Sequence, residues 1–263
     1  MSLGGARADA PRRIVSANLC ADQLLLALAD PAQIASLSPL AHDPGISYLH
    51  ARARGFSVNR GHAEDVVRRQ ADLVLVSPFD SRHMRALLQA RGLDFFAVAP
   101  WTSLDDGRAQ IRALARRIGQ PDRGEKLIGE IDAALARAGR PAPEGAAALA
   151  LERRGYLPGG ASLLVDIVRR LGLKEISGDA VAGGEGFISL ERLVRLRPDY
   201  LIVSDIAGGV EDQGQAFLVH AALTRYYPLE RRIDAPSRLT LCGGPSTPEL
   251  IDRLAAEIRA KTR

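Results

Sequence analysis

Residues 64–77, EDVVRRQADLVLVS, recur 127 residues later as residues 191–204, ERLVRLRPDYLIVS. Each copy has the pattern of a short helix, a tight turn and an apolar run of the kind that is buried on both faces of a parallel sheet. A unit that is repeated about half a chain apart predicts two similar α/β lobes. Six positions are identical in the two copies: Glu64 and Glu191, Val67 and Val194, Arg68 and Arg195, Asp72 and Asp199, Val76 and Val203, Ser77 and Ser204.

The composition is that of an ordinary globular protein. Of the 263 residues, 46% are apolar and 25% are charged, and a chain of this length buries enough surface to fold without disulfides or a metal. No apolar stretch approaches the roughly 18 to 20 residues of a membrane span. Residues 1–13 lack the apolar core of a signal peptide, so we expect that any export signal has been removed. The net charge of +4 is scattered and no basic stripe is interleaved with aromatics, so we expect no nucleic-acid partner.

The turns that follow predicted strands hold the first candidate site residues. A strand at residues 13–17 and a helix at residues 22–28 leave residues 18–20 in the turn between them. A later strand at residues 94–98 ends just before Trp101, the only tryptophan. Ligands of open α/β sheets bind beyond the carboxyl ends of the strands. We therefore expect these turns to face a ligand.

A helical pattern midway between the two copies is the natural connector of the lobes. We predict an N-terminal α/β lobe at residues 11–120, a connecting helix at residues 121–139 and a C-terminal α/β lobe at residues 140–263. In the second lobe, we expect the first strand at residues 146–151 and a loop at residues 156–160, YLPGG. This loop has neither the full glycine pattern nor the lysine of a nucleotide-binding motif, so it is a weak signal for a phosphate site.

Several blocks, in this order, resemble one family of proteins. They are SANLCADQLLLALADPAQIASLS, ADLVLVS, PGGASLLVDIVRRLG, RPDYLIVS and LCGGPSTPELIDRLA. Together they resemble the cobalamin and iron-siderophore class of periplasmic substrate-binding proteins, which serve ABC importers. The resemblance extends from about residue 11 to residue 258, and one departure is Ala71, where the family usually has the proline that Pro198 retains.

The resemblance implies a fold and a function. The fold would be two Rossmann-like α/β lobes with parallel-rich sheets, joined by a single long rigid helix, with the ligand cleft between the lobes. The function would be to capture a metal-chelate ligand, either a corrinoid, a ferric siderophore or haem, and to deliver it to a permease and ATPase complex in the inner membrane. The protein would then be a periplasmic monomer without catalytic activity and without a cofactor of its own, because the cobalt or iron arrives with the ligand.

The family topology places the ligand residues on the strand-end turns of both lobes. Large aromatic faces suit a corrin, a porphyrin or a catecholate, and such pockets are mostly apolar with a few orienting polar groups. The expected ligand-binding residues are Asn18, Leu19, Cys20, Tyr48, Phe79 and Trp101 in the first lobe, and Tyr156, Phe187, Asp205 and Cys242 in the second.

The two cysteines have three interpretations, which the sequence leaves open. The family topology would put Cys20 and Cys242 on cleft-facing turns of opposite lobes. First, both could be inert small hydrophobic residues. Second, they could form a disulfide after export. Third, they could be soft donors to the ligand or its metal.

Glu64 and Glu191 lead the two repeated helices, and the resemblance implies that they dock on the permease. In the family, one acidic residue at the outer tip of each lobe pairs with arginines of the permease. Such pairs steer and orient docking more than they add affinity. The alternative is a local role, because a carboxylate in the first turn of a helix meets the positive end of its dipole.

Two other functions compete with chelate transport. A site for a bare metal ion needs histidines and carboxylates from both lobes, but His220 is the only histidine of the second lobe and no HxH or HxxxH pair occurs. A two-lobed enzyme, either a chelatase or a glycosyltransferase, would share the architecture. His42 or His62 would then serve as the base of a chelatase, but the chain has no DxD-like sugar-nucleotide motif and no paired carboxylates.

Overall fold

The computed structural model contains two compact units, each with a parallel sheet and flanking helices. The first unit is Met1–Ala99 with Arg108–Ile128, and the second is Pro100–Gly107 with Gly129–Arg263. This confirms the two-lobed α/β fold that the repeat predicts. The structure describes residues 10–79, 82–181, 185–204, 217–218 and 220–262.

The first unit has a four-stranded parallel sheet with the strand order β2-β1-β3-β4. The repeated apolar run forms β3, the partner of both β1 and β4, and all four of its residues are buried. The strands are β1 (Ile14–Ser16), β2 (Ile34–Ser36), β3 (Leu73–Val76) and β4 (Phe95–Ala97). The helices of this unit are α1 (Leu19–Leu28), α2 (His50–Ala53), α3 (Ala63–Arg68) and α4 (Arg82–Ala90). The next two helices, α5 (Leu104–Arg117) and α6 (Pro121–Ala138), each have residues in both units.

The second unit has a four-stranded parallel sheet with the order β10-β9-β5-β7 and a two-stranded antiparallel ribbon of β6 and β8. The strands are β5 (Ala147–Leu151), β6 (Tyr156–Leu157), β7 (Lys174–Glu175), β8 (Gly186–Phe187), β9 (Tyr200–Val203) and β10 (Arg232–Asp234). The helices are α7 (Leu163–Arg170), α8 (Ser177–Ala180), α9 (Leu190–Leu196), α10 (Ala221–Tyr226), α11 (Ser237–Thr240) and α12 (Thr247–Lys261).

The two copies of the repeat have the same local structure. Gln70 and Arg197, which follow α3 and α9, both have left-handed backbones, with φ of 53° and 49°. Two residues after each of these lies an aspartate. A carboxylate oxygen of Asp72 accepts a hydrogen bond from the backbone N–H of Arg13 at 2.9 Å. A carboxylate oxygen of Asp199 accepts one from the backbone N–H of Ala147 at 2.8 Å. The repeated aspartate therefore ties the repeated strand to the neighbouring first strand in each unit.

Each unit buries the aliphatic side chains of its sheet against its helices. In the first unit, Val74 and Val76 of β3 pack in one cluster with Leu88 of α4. In the second, Leu201 of β9 packs with Leu193 of α9. Strands that are covered on both faces need continuous apolar runs, and such a run is recognisable in each copy of the repeat.

Two predicted boundaries differ from the structure, and both affect candidate site residues. Residues 18–20 are not a turn, because Asn18 caps α1 and the helix begins at Leu19. Tyr156 and Leu157 do not lie in a loop, because they form β6. A cap residue and a two-residue strand are too short to leave a periodic signal.

None of the helices in the described part of the chain combines the length and the apolar content that crossing a bilayer requires.

Candidate functional site

The end of β1 presents Asn18, Leu19 and Cys20 at the start of α1. The Asn18 side-chain oxygen accepts the backbone N–H of Ala21 at 3.0 Å, as expected for a helix N-cap. The Nδ2 atom of Asn18 is buried, and no acceptor for it lies among the described residues. Leu19 is buried and Cys20 is half-buried. An orphaned amide at a strand end is a donor that a ligand can satisfy.

The loop at residues 38–49 carries Tyr48, which is half-buried, and is held by two buried side chains of α1. Asp22 accepts two hydrogen bonds from Ser38, one from the backbone N–H at 3.0 Å and one from the hydroxyl at 2.5 Å. Gln23 donates to the hydroxyl of Ser47 at 2.9 Å and accepts the backbone N–H of Leu49 at 2.9 Å.

Burial raises the pKa of the Asp22 carboxyl to about 7, and hydrogen bonds from Ser16 and Ser38 only partly offset this. A buried carboxyl is penalised in its charged form, so its proton is retained well above the usual range. The same loop contains His42, whose Nε2 is buried and lacks a hydrogen-bond partner among the described residues.

Asn59 joins the same polar region from the chain that follows α2. Its Nδ2 donates to the backbone oxygen of Ser16 at 2.8 Å and to the hydroxyl of Ser36 at 3.1 Å, and its Oδ1 accepts the N–H of Gly61. It therefore links the last residues of β1 and β2. The buried polar side chains described in the first unit are Ser16, Asp22, Gln23, Ser36, Ser38, Ser47 and Asn59.

Phe79 lies just beyond β3 and is the most exposed large apolar side chain described, with 81% of its surface accessible. Its backbone N–H donates to the hydroxyl of Ser77 at 3.1 Å. The last residue of the repeated segment thus shapes the turn that presents an aromatic ring to its surroundings.

The ribbon of β6 and β8 brings together two residues that the sequence predicted separately. Tyr156 pairs with Phe187 across the ribbon, and their rings meet edge to face with centroids 5.5 Å apart. Phe187 is 68% exposed and Tyr156 is half-buried. Gly155 precedes the pair with φ of +78°, and a Cβ there would lie 2.9 Å from the backbone oxygen of Ile188. Only glycine fits this turn without strain.

Trp101 is a core residue of the second unit in this structure, with 5% of its surface exposed. Its ring lies against two glycines, because a Cβ built on Gly107 or Gly243 would come within 2.3 Å or 2.2 Å of ring atoms. The backbone N–H of Leu163 donates to the oxygen of Trp101 at 3.0 Å. The predicted ligand contact of Trp101 stays a prediction, and within the second unit its ring packs on these two glycines.

Neither Cys20 nor Cys242 is a free thiol among the described residues. Cys242 is buried, with 6% of its surface exposed. Its backbone oxygen accepts a hydrogen bond from the hydroxyl of Ser246 at 3.0 Å. Asp205, the remaining expected ligand residue, lies outside the described residues.

Glu64 and Glu191 are exposed in the first turns of α3 and α9. A hydrogen bond from its own backbone N–H, assisted by the hydroxyl of Ser189, lowers the pKa of Glu191. Glu191 therefore remains charged at neutral pH. It also borders a groove of about 820 Å³ whose lining includes Leu190, Val194, Arg195, Arg197 and Ala222.

Sequence reasoning did not find Asp22, Gln23 and Asn59. The signal for the first two was two adjacent polar residues inside an otherwise apolar helical segment, ADQLLLAL. Such residues remain buried only when their polar groups are paired. Within the described ranges, no three histidine, cysteine, aspartate or glutamate residues converge in a way that could hold a metal ion.

Residues 14–224 match the sequence profile of a family described as periplasmic binding protein. A search of curated proteins found no match.

Solved structures share the fold over nearly the whole chain. The periplasmic heme-binding protein RhuT from Roseiflexus sp. RS-1 gives a TM-score of 0.77 at 23% identity, covering 96% of this chain and 99% of that one. A periplasmic heme-binding protein from Pseudomonas aeruginosa gives 0.73 at 19% identity, covering 95% and 92%. The periplasmic vitamin B12 binding protein BtuF of Vibrio cholerae gives 0.73 at 13% identity, covering 96% and 98%. At these identities, the similarity is one of fold.

Proposed function

The chain belongs to the periplasmic binding protein family, and we propose that it is the substrate-binding component of an ABC importer for a metal-chelate ligand. The ligand class comprises corrinoids, ferric siderophores and haem, and the ligand supplies its own cobalt or iron. The protein binds this ligand in the periplasm and delivers it to a membrane permease, without catalysing a reaction.

The observation that carries this proposal is the exposed aromatic pair of Tyr156 and Phe187. An aromatic side chain that is 68% exposed on a short ribbon contributes little to the core, whereas a large flat ligand would bury it. Stacking and edge-to-face contacts with extended ring systems are favourable beyond the area that they bury. Phe79, exposed at a strand end of the first unit, offers a second aromatic surface of the same kind.

The strand ends of the first unit also offer polar groups to a ligand. Asn18 offers a buried N–H donor, and His42 offers a buried ring nitrogen, and neither atom has a partner among the described residues. Corrinoids, haem and siderophores all carry amide, carboxylate or phenolate oxygens at their edges. A mostly apolar site with a few convergent polar groups is typical of small-molecule binding. Structures with this fold include heme-binding and vitamin B12 binding proteins, which supports the same ligand class.

We expect the Phe187→Ala substitution to weaken chelate binding about 10- to 100-fold, because a central aromatic contact of a binding site contributes on this scale. The free energy of unfolding should change by less than about 0.5 kcal/mol, since the side chain is exposed in the free protein. Calorimetric titrations with cyanocobalamin, haemin and a ferric tris-catecholate measure the affinity. Urea unfolding measures the stability.

Tyr226→Ala provides the matched control, because Tyr226 is an exposed aromatic residue of the same unit, on α10. It should leave chelate affinity within about twofold of the wild type. Equal affinities of the Phe187→Ala and Tyr226→Ala proteins for every chelate that the wild type binds would refute the assignment of the aromatic pair to the site.

We propose that Glu64 and Glu191 form the permease-docking pair. Both carboxylates are exposed in first helical turns at equivalent positions of the repeat. Charges at this position steer association and set its orientation. The hydrogen bond that Glu191 accepts from its own backbone N–H, which lowers its pKa, is compatible with docking because the carboxylate remains charged.

We expect the double substitution Glu64→Ala with Glu191→Ala to reduce ligand uptake by the reconstituted importer at least about 10-fold while chelate affinity stays unchanged. Proteoliposome uptake with the cognate permease and ATPase measures the effect. Glu130→Ala with Glu144→Ala is the charge-matched control, since both residues are exposed and lie outside α3 and α9. Unchanged uptake by the Glu64/Glu191 double variant would rule out docking through these residues.

A further inference from the structure

Asp22 and Gln23 are adjacent residues of α1 that hold opposite ends of one loop. Asp22 binds the backbone and the hydroxyl of Ser38 at its start. Gln23 binds the hydroxyl of Ser47 and the backbone of Leu49 at its end. Two neighbouring side chains on one rigid helix therefore fix both ends of a twelve-residue segment, residues 38–49.

Packing of the core does not explain these two side chains. Asp22 is 0% and Gln23 is 2% exposed, while the other buried residues of α1 are leucines and alanine. Burying a carboxyl or an amide is unfavourable unless its hydrogen bonds are satisfied, and apolar side chains of similar size would fill the same space without that requirement. The hydrogen bonds of Asp22 and Gln23 instead fix the conformation of the loop.

Between its two anchors, the loop is itself ordered by local hydrogen bonds. It begins with a 3-10 helix, Pro39–His42. Asp43 then accepts the N–H of Gly45 through its side chain and the N–H of Ser47 through its backbone, both at 2.8 Å. A loop that is anchored at both ends and braced in the middle can hold Tyr48 and His42 in fixed positions.

We propose that Asp22 and Gln23 are positioning residues of the ligand site, which preorganise the loop at residues 38–49 so that Tyr48 and His42 meet the chelate. The inference rests on the proposed function for the identity of the ligand. Preorganisation raises affinity because the loop loses less conformational freedom when the ligand binds.

The test compares Asp22→Ala and Gln23→Ala with two reference variants. Asp22→Asn keeps an oxygen for the backbone N–H of Ser38 and can donate to its hydroxyl, so it should rescue the loop. Leu28→Ala is the packing control, because Leu28 is fully buried on the same helix but makes none of these hydrogen bonds. Two independent alanine variants keep the test informative if one of them does not fold.

Hydrogen exchange of the amides of Ser38 and Leu49 reports on the loop without any ligand. We expect their exchange to accelerate about 10-fold in the corresponding alanine variants and less than about threefold in Asp22→Asn and Leu28→Ala. Affinity for whichever of cyanocobalamin, haemin and a ferric tris-catecholate the wild type binds should fall about 10-fold in the alanine variants and be restored in Asp22→Asn.

Two results would overturn the inference. One is unchanged exchange at Ser38 and Leu49 in the alanine variants. The other is accelerated exchange with an affinity no lower than that of Leu28→Ala, which would place the loop outside the ligand site. If the wild type binds none of the three chelates, the proposed function fails, and the exchange data alone then support or refute the anchoring of the loop.

Discussion

The stability difference between the wild type and the Asp22→Asn variant is expected to fall by on the order of 4 kcal/mol as pH rises from about 4 to about 8. Burial raises the pKa of Asp22 from 3.8 to about 7, so the folded state retains this proton more tightly than the unfolded state. Each unit of pKa difference corresponds to about 1.4 kcal/mol. The contribution to stability is full below the unfolded pKa and is lost as pH rises through the folded pKa.

The amide of Asp22→Asn does not titrate, so subtracting its curve from that of the wild type removes the effects of other groups. Urea unfolding at closely spaced pH values supplies both curves. Leu28→Ala should differ from the wild type by a constant amount, because it removes no ionisable group. A constant difference between the wild type and Asp22→Asn across the range would show that Asp22 ionises in the folded protein as an exposed carboxylate does.

The substitution Gly243→Ala is expected to lower the free energy of unfolding by about 3 kcal/mol. The new Cβ would lie 2.2 Å from the ring of Trp101, which also contacts Gly107 and is 5% exposed. The ring therefore has little room to move, and overpacking of a tight core costs about 1 to 3 kcal/mol or more. Urea unfolding followed by far-ultraviolet circular dichroism measures the change.

Gly129→Ala is the matched control, since Gly129 lies in α6 and a Cβ there meets nothing within 4 Å. It should stabilise the protein by about 0.5 to 1 kcal/mol, because alanine is the better helix former. Combining Gly243→Ala with Trp101→Leu should restore part of the loss, as expected for directly interacting residues. A Gly243→Ala protein as stable as the wild type would contradict the packing of Trp101 on Gly243.

The repeat made the fold predictable because the structure uses its residues twice for the same purpose. Buried strands β3 and β9 select apolar runs, and Asp72 and Asp199 receive backbone hydrogen bonds from the neighbouring first strands. Strand burial and the aspartate hydrogen bonds require particular residue types at fixed positions of a helix-turn-strand unit. The sequence therefore has identical residues at a constant offset of 127.

The candidate site was less predictable because it depends on contacts between distant segments. Tyr156 and Phe187 meet across a ribbon of two-residue strands, which leaves no periodic signal. The burial of the Trp101 ring depends on the absence of side chains at Gly107 and Gly243, which no periodic pattern of the sequence indicates. The pairing of Asp22 with Ser38 follows from how the loop folds back on α1, which no local pattern encodes.

An equilibrium titration of the wild-type protein with cyanocobalamin, haemin and a ferric tris-catecholate tests the proposed function most directly. Zn²⁺ and ferric citrate are titrated alongside as sources of metal without a large ring system. We expect at least one of the three chelates to bind with 1:1 stoichiometry and a Kd of about 1 μM or tighter, near −8 kcal/mol. Binding of the metal sources alone, or of no chelate, would contradict it.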